Sequence, residues 1–346
     1  MPLTFEAEIS PGMAAADVVA LARMAEDVGF DRLGISDVVL WQDCFVLLGL
    51  VARETSRILL GPMVTNPYTR HPAVLASLAA TLHDVSNGRF FLGIGAGAGL
   101  ETLGGGSPRL VTSLRECVTA IRGLLQGGTV DYTGETVSLH GARLRHGPAK
   151  VPISIGTRSP QVMRLAGEIA DIALVGGRYL SPSLAADYRT WIAKGAARAG
   201  RPISTVEIAP RITLCTSVDG ALARRSVKRY VAHYAALIRP AELGLDDDWY
   251  RRIEAALARS TGWYFDHDRH DDPEIYSLVS DSLVRAFAIA GTPKECREMA
   301  EEIIDMGFTS LSMNLSFAVG AGMRRGLAET IAGFGSVLGD LRLGYD

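Results

Sequence analysis

Eight short runs of strand-forming residues recur along this chain, and longer stretches with helical spacing of apolar positions separate most of them. That alternation restricts the chain to parallel strands joined by helical crossovers. The runs are Leu3 to Ile9, Arg32 to Ser36, Ile58 to Thr65, Arg89 to Gly95, Pro152 to Gly156, Ile172 to Gly176, Val206 to Ser217 and Ser310 to Ser316. Helices are expected at Ala14 to Val28 (closed by Gly29), Asp43 to Thr55, Pro72 to Val85 and Pro108 to Leu125, from Pro160, over Leu184 to Ala199, and from Asp219. Two stretches break the rhythm. Thr129 to Tyr132 and Thr136 to Leu139 flank Thr133-Gly134-Glu135, which has the size of a hairpin turn. Residues from about Ala232 to Ser280 fit no βα unit and predict an insertion of helix and loop. Helix then returns over Ser282 to Ile289 and Pro293 to Met306, and a closing helix follows Arg324.

The expected fold is therefore α/β, a (β/α)8 TIM barrel with an insertion at about 232–280 before the last strand, and one domain over residues 1–346. A hydrophobic fraction of 48% is ample for such a core. An open doubly wound sheet is the weaker alternative, because no GxGxxG with a downstream acid stands at the first βα turn.

Composition narrows the partners. Lys and Arg number 35 against 38 Asp and Glu, so a net charge of -3 gives no electrostatic case for nucleic acid or an anionic membrane. Cys44, Cys117, Cys215 and Cys296 are scattered and form no CxxC, which reads as reduced thiols of a cytoplasmic protein. The first residues carry Glu6 and Glu8 and no basic stretch, so no secretory signal is expected. The longest apolar run, Cys44 to Ala52, is about half a membrane span.

Strand parity predicts a polar barrel interior. Leu3, Phe5, Ala7 and Ile9 share one face of the first strand, and Thr4, Glu6 and Glu8 the other. Glu207, Ala209, Arg211 and Thr213 oppose an apolar face in the seventh, as Ser310, Ser312, Asn314 and Ser316 do in the eighth. Buried charges must pair, and Glu6 or Glu207 with Arg211 is the expected pair. The alternative is that these faces meet solvent on edge strands.

Barrel active sites sit at the C-terminal ends of the strands. There the sequence collects Glu8, Ser36-Asp37, Thr65 to His71, the glycine-rich Gly93 to Gly99, Gly156 to Ser159, and Val175-Gly176-Gly177. Glycines let a planar ligand or a phosphate approach the backbone, although strand-end turns use glycine anyway. Ser159 can cap a helix that begins at Pro160, whose positive end, with Arg158, suits an anion; an ordinary cap reads the same way. Arg70-His71 could be catalytic, but a histidine at a helix start is more often structural. His267 and His270 lie among Asp266, Asp268, Asp271 and Asp272 at mixed spacing; a solvated loop is expected there, and no metal.

Six segments resemble the bacterial luciferase-like superfamily of flavin and deazaflavin enzymes. They are AEDVGFDRLGISD, LLGPMVTNPYTRHP, VSNGRFFLGIGAG, TVDYTGETVSLHGARL, PISIGTRSPQVMRLAGEIAD and FAIAGTPKEC, in family order over most of the chain. Within the superfamily, the likeness is nearest to methylenetetrahydromethanopterin reductase-like enzymes that use coenzyme F420. The resemblance implies a homodimeric barrel with the cofactor ring at its mouth. Asp37 lies near that ring, Met63 and Val64 (with Thr65 and Asn66 beyond them) back it, and Gly95 and Gly97 line it. Gly156, Thr157, Arg158, Ser159, Gly176 and Gly177 take the cofactor phosphate. Relatives commonly have His at the place of Val38, an acid at Ala98, Gly at Met63 and Gln at Arg158. These departures point to a substrate other than the pterin.

The leading expectation is an F420-dependent oxidoreductase that transfers hydride to or from a small organic substrate. One alternative is an FMNH2-dependent monooxygenase with FMN as cofactor; another is a barrel that binds cofactor without turnover. Glu8 is the best candidate for a proton-transfer group, its pKa raised by an apolar neighbourhood; the alternative is that it pairs with Arg211 or Arg158 and holds the barrel together.

Overall fold

A computed structural model describes residues 2–106, 109–176, 179–262 and 269–345. Strands and helices alternate from the start: β1 (Thr4–Ile9), α1 (Ala15–Val28), β2 (Arg32–Ile35), α2 (Cys44–Glu54), β3 (Leu59–Pro62), α3 (Pro72–Val85), β4 (Leu92–Gly95) and α4 (Leu110–Leu125). A hairpin of β5 (Val130–Thr133) and β6 (Ser138–Ala142) follows at the expected place. The alternation resumes with β7 (Ile153–Thr157), α5 (Pro160–Ile169), β8 (Ile172–Val175), α6 (Pro182–Arg198), β9 (Glu207–Thr216) and α7 (Gly220–Ile238). Then come α8 (Asp247–Arg259), α9 (Pro273–Leu278), α10 (Asp281–Phe287), β10 (Ala288–Gly291), α11 (Pro293–Asp305), β11 (Ser310–Leu315) and α12 (Met323–Tyr345).

Parallel pairing runs β3-β2-β1-β11-β9-β8-β7-β4. Hydrogen bonds from Leu60 N to Arg89 O (3.0 Å) and from Gly95 N to Thr65 O (2.8 Å) join β4 back to β3 and close the ring. These are the eight strands read from sequence. Two expectations need correction. The helix expected to reach Ile289 stops at Phe287, and Ala288–Gly291 instead pairs with the outer end of β9 as an additional strand. α7 also runs to Ile238, so the irregular insertion starts later than Ala232.

Parity holds on the helix-facing side: Phe5, Ala7, Ile9, Leu311 and Met313 are wholly buried against the helices. The pairing of Glu6 or Glu207 with Arg211 does not form, whereas that of Glu8 with Arg211 does. Arg32 is in register with Glu6 and also points into the lumen. Its guanidinium donates to both oxygens of Glu207 at 2.6 and 2.5 Å. Arg211 lies one layer higher and pairs with Glu8 instead. Nor is the interior polar all round. Met63, Phe91, Ile172, Leu174 and Ala209 form a separate apolar cluster. The polar layers belong mainly to β1, β2, β9 and β11.

Glu6 sits beneath Glu8 on β1 and accepts a 2.5 Å hydrogen bond from Ser312. Burial pushes its carboxyl up to about 7, against the pull of Arg32. An acid whose folded pKa is raised favours folding while it is protonated. That contribution is complete below the ordinary value of 4.5 and is lost as pH rises through about 7. Glu6→Gln mimics the protonated form. It should flatten the stability loss between about pH 5 and pH 8, and by the upper limit exceed the parent by up to about 3 kcal/mol. Denaturant titrations across that range check this, and equal stability at the alkaline end would contradict it.

No helix among the described residues is long and apolar enough to cross a membrane.

Candidate active site

A cavity of about 510 Å3 opens at the C-terminal ends of the strands. Met63, Val64 and Leu174 form its apolar side. The chain leaves the β3 ladder at Met63-Val64, where the peptide bond is cis, and rejoins at Thr65, which bridges to Ile94. Glycines make room for this excursion. A Cβ on Gly34 would stand 2.0 Å from Met63 Cγ, and one on Gly95 would stand 2.7 Å from Val64 Cγ2. Glycine at these strand positions is thus a packing requirement, and it seats Met63 and Val64 beneath the cavity.

Facing them is a polar side. Both Glu8 oxygens are taken by Arg211, one by its Nε at 2.6 Å and the other by its Nη2. Ser36 Oγ donates to the same carboxylate at 2.7 Å. Glu8 is fully enclosed while Arg211 is 22% exposed. The neighbourhood expected to be apolar is therefore an ion pair with a hydroxyl donor. β1 and β9 are both neighbours of β11, which sets Glu8 and Arg211 two strands apart, a distance an arginine spans.

Asp37 also lines the cavity. Its Oδ2 accepts from Thr65 Oγ1 (2.7 Å) and from Arg70 (3.0 Å), and Arg70 continues to Asp43 at 2.5 Å. Arg70 is thus a strut between two carboxylates, stacked 4.8 Å from the Phe45 ring centroid. His71 caps α3 through Nδ1, which accepts from Ala73 N. The structural reading holds for both.

At the far rim stand Gly156, Thr157, Arg158, Ser159 and Gly176. Ser159 caps α5, accepting from Gln161 N at 3.3 Å. Its own amide already donates to Thr157 Oγ1 at 2.9 Å. An anion here would therefore rely on Arg158, which is exposed, and on the positive end of α5 more than on the Ser159 amide.

Glu8, Asp37, Met63, Val64, Gly97, Gly156, Thr157, Arg158, Ser159 and Gly176 thus converge on one cavity. Thr65, Asn66 and Gly95 support it from behind: Thr65 holds Asp37, and Asn66 Oδ1 orders the turn at Tyr68 and Thr69. Gly177 lies outside the described residues, as do Asp266, His267 and Asp268. His270 pairs through its backbone with Thr261, Asp271 is held by Arg229, and Asp272 caps α9. Among the described residues, no three His, Cys, Asp or Glu side chains gather as metal ligands would.

Sequence reasoning missed His233 and Tyr234, which reach the cavity from α7. Only a helix folded over the barrel mouth brings them there, and no local pattern announces that. It also missed the backbone bridge between two positions that depart from the reductase pattern. Val38 and Ala98 bridge each other across the β2 and β4 loops and form one wall.

Known proteins share this architecture. A 5,10-methylenetetrahydromethanopterin reductase from Methanolobus tindarius is 31% identical over 314 residues, 89% of this chain and 93% of that protein. An F420-dependent glucose-6-phosphate dehydrogenase from Beutenbergia cavernae is 27% identical over 315 residues, 85% of this chain and 86% of that one. The solved coenzyme F420 dependent tetrahydromethanopterin reductase from Methanopyrus kandleri superposes with a TM-score of 0.83 at 27% identity, over 96% of this chain and 98% of that one. The luciferase-like monooxygenase family model matches residues 2–310. With the closed barrel, the interrupted third strand and a match over most of its length, the chain belongs to the luciferase-like monooxygenase family.

Proposed function

We propose that this protein is an F420-dependent oxidoreductase acting on a small organic substrate. The observation that carries the reading is the two-sided cavity: an apolar bed of Met63, Val64 and Leu174 faces the polar Glu8 and Arg211. A flat heteroaromatic ring suits the bed, and Gly97, Gly156 and Gly176 leave its rim open to the backbone. The likeness to a solved coenzyme F420 dependent reductase, 27% identical over 96% of the chain, supports deazaflavin over FMN.

When bound, the deazaflavin supplies or accepts a hydride at its ring. The protein's contribution is position and electrostatics. Met63 and Val64 would support the ring, Asp37 would lie near it, and Arg158 with the α5 start would hold the phosphate. Glu8 keeps Arg211 folded against the lumen, so the wall above the ring is polar but charge-balanced. That favours a substrate with a neutral polar reacting group over a carboxylate.

The protein should bind coenzyme F420 in the micromolar range or tighter, read by fluorescence titration. Tight binding of FMN with no response to F420 would replace this reading with an FMNH2-dependent monooxygenase. Binding of F420 without turnover on any carbonyl, imine, enone or alcohol would favour the non-catalytic barrel.

We also propose a cytoplasmic homodimer. All four cysteines are buried and unbridged, which suits a reducing compartment. Val46 and Leu50 are 66% and 45% exposed on one face of α2, and Val74 of α3 is 51% exposed, which suits a contact between copies. Sedimentation velocity at two concentrations reads the oligomeric state.

A further inference from the structure

We propose that His233 is the group that exchanges a proton with the substrate during hydride transfer. The assignment rests on the oxidoreductase reading above. It follows from the chemistry of the cavity wall. Among the described residues, the titratable side chains lining the cavity are Glu8, Asp37, Arg158, Arg211, His233 and Tyr234.

Two of these are carboxylates already engaged in ion pairs with arginines. Glu8 binds Arg211 through both oxygens and Ser36 through one. Asp37 binds Thr65 and Arg70. Protonating either would break an ion pair at the barrel mouth. Guanidinium groups keep their protons at any working pH, and phenols as a class ionise near pH 10. Imidazole is the side chain that gains and loses a proton between about pH 5 and pH 8.

Position agrees with chemistry. Val227, Tyr230, Val231 and Ala235 are buried and anchor α7, so His233 is presented by a fixed helix. Its ring stands edge-on to Tyr234, centroids 5.1 Å apart at 85°, and Tyr234 packs on Tyr230 at 4.8 Å. His233 is solvent-exposed as well as cavity-lining, so it can reload from water after each turnover. Val38 and Ala98, which line the same cavity, supply no proton.

In the reducing direction, the carbon of a C=O or C=N bond would accept the hydride that reduced coenzyme F420 supplies when bound. The π pair moves to the heteroatom, which takes the proton of the His233 imidazolium. The products are an alcohol or amine, oxidised cofactor and neutral imidazole. In the reverse direction neutral His233 removes the O–H or N–H proton while the carbon gives up hydride to the oxidised cofactor. The substrate class this geometry serves is therefore a neutral ketone, aldehyde or imine, or the corresponding alcohol or amine.

The test uses the full chain loaded with coenzyme F420 and a panel of ketones, aldehydes and imines. His233→Gln should bind F420 within about twofold of the parent and lose turnover roughly a hundredfold or more. His233→Ala should behave alike and recover part of its turnover when imidazole is added. A readout independent of turnover is carbethoxylation of His233 by diethyl pyrocarbonate, mapped by mass spectrometry. Bound F420 together with a product alcohol should slow it severalfold. Full turnover in His233→Gln with normal F420 binding overturns the assignment, and so does unchanged carbethoxylation in the loaded protein. Loss of turnover in Tyr234→Phe with normal activity in His233→Gln would move the proton to the phenol. If the unsubstituted protein does not bind F420, the oxidoreductase reading fails first, and this assignment falls with it.

Discussion

Glu8→Gln is expected to destabilise the protein by about 3 kcal/mol, the lower end of what breaking a buried ion pair costs. The lower end applies because Arg211 reaches the cavity and retains some hydration. Glutamine keeps the shape and one acceptor for Ser36, but it leaves the guanidinium without a counter-charge. Glu8→Gln combined with Arg211→Met should therefore recover most of the lost stability, since an apolar pair can replace a buried ionic one at little cost. Turnover should behave differently. An uncompensated charge beside the reacting centre, or an apolar gap in its place, should lower kcat on the order of tenfold to a hundredfold in both variants. Chemical denaturation and steady-state kinetics on the two proteins separate these effects. A Glu8→Gln protein as stable as its parent would contradict the ion-pair account. If the single variant is fully stable and its activity falls with a shifted pH profile, Glu8 is itself the proton-transfer group.

Arg158→Ala should weaken cofactor binding by about 1.5–3 kcal/mol, the scale of a hydrogen bond to a charged group. That corresponds to roughly a ten- to hundredfold rise in Kd. The Ser159 amide is engaged by Thr157 Oγ1, so the arginine carries more of the phosphate contact than a bare helix start would require. The effect should shrink as salt rises, because Arg158 is exposed. Titration of the variant with F420 at two ionic strengths checks this. Normal affinity would place the phosphate elsewhere on the rim.

Much of the barrel was legible in the sequence, for reasons that are local. Alternation within β1, β9 and β11 separates Phe5, Ile212 and Met313 from Glu6, Arg211 and Ser312, and the helices expected to start near Asp43 and Asp219, like the cap expected at Ser159, stand where the sequence puts them. β10 was not legible. Ala288-Ile289-Ala290-Gly291 follows α10 with no turn residue between them, and four apolar residues read equally well as the end of a helix. The Arg32–Glu207 pair was not legible either. Arg32 begins its strand, and its inward direction emerges only from the Glu6–Arg32 register. The glycine-rich run pointed to the right region. What Gly93 and Gly95 of β4 accommodate, the backbone and side chain of Pro62 and Val64, comes from a different strand. His233 was invisible because its role depends on where a helix following the seventh barrel strand crosses the barrel mouth.

Isotope transfer tests hydride chemistry most directly. Reduced coenzyme F420 carrying deuterium at its hydride-donating carbon is mixed with the protein and a panel of ketones, aldehydes and imines without oxygen. Hydride transfer predicts that one substrate is consumed and that its alcohol or amine product carries a single deuterium on carbon. If no label appears in any product, while FMNH2 and oxygen together yield an oxygenated one, the protein is a monooxygenase and F420-dependent hydride transfer is not its reaction.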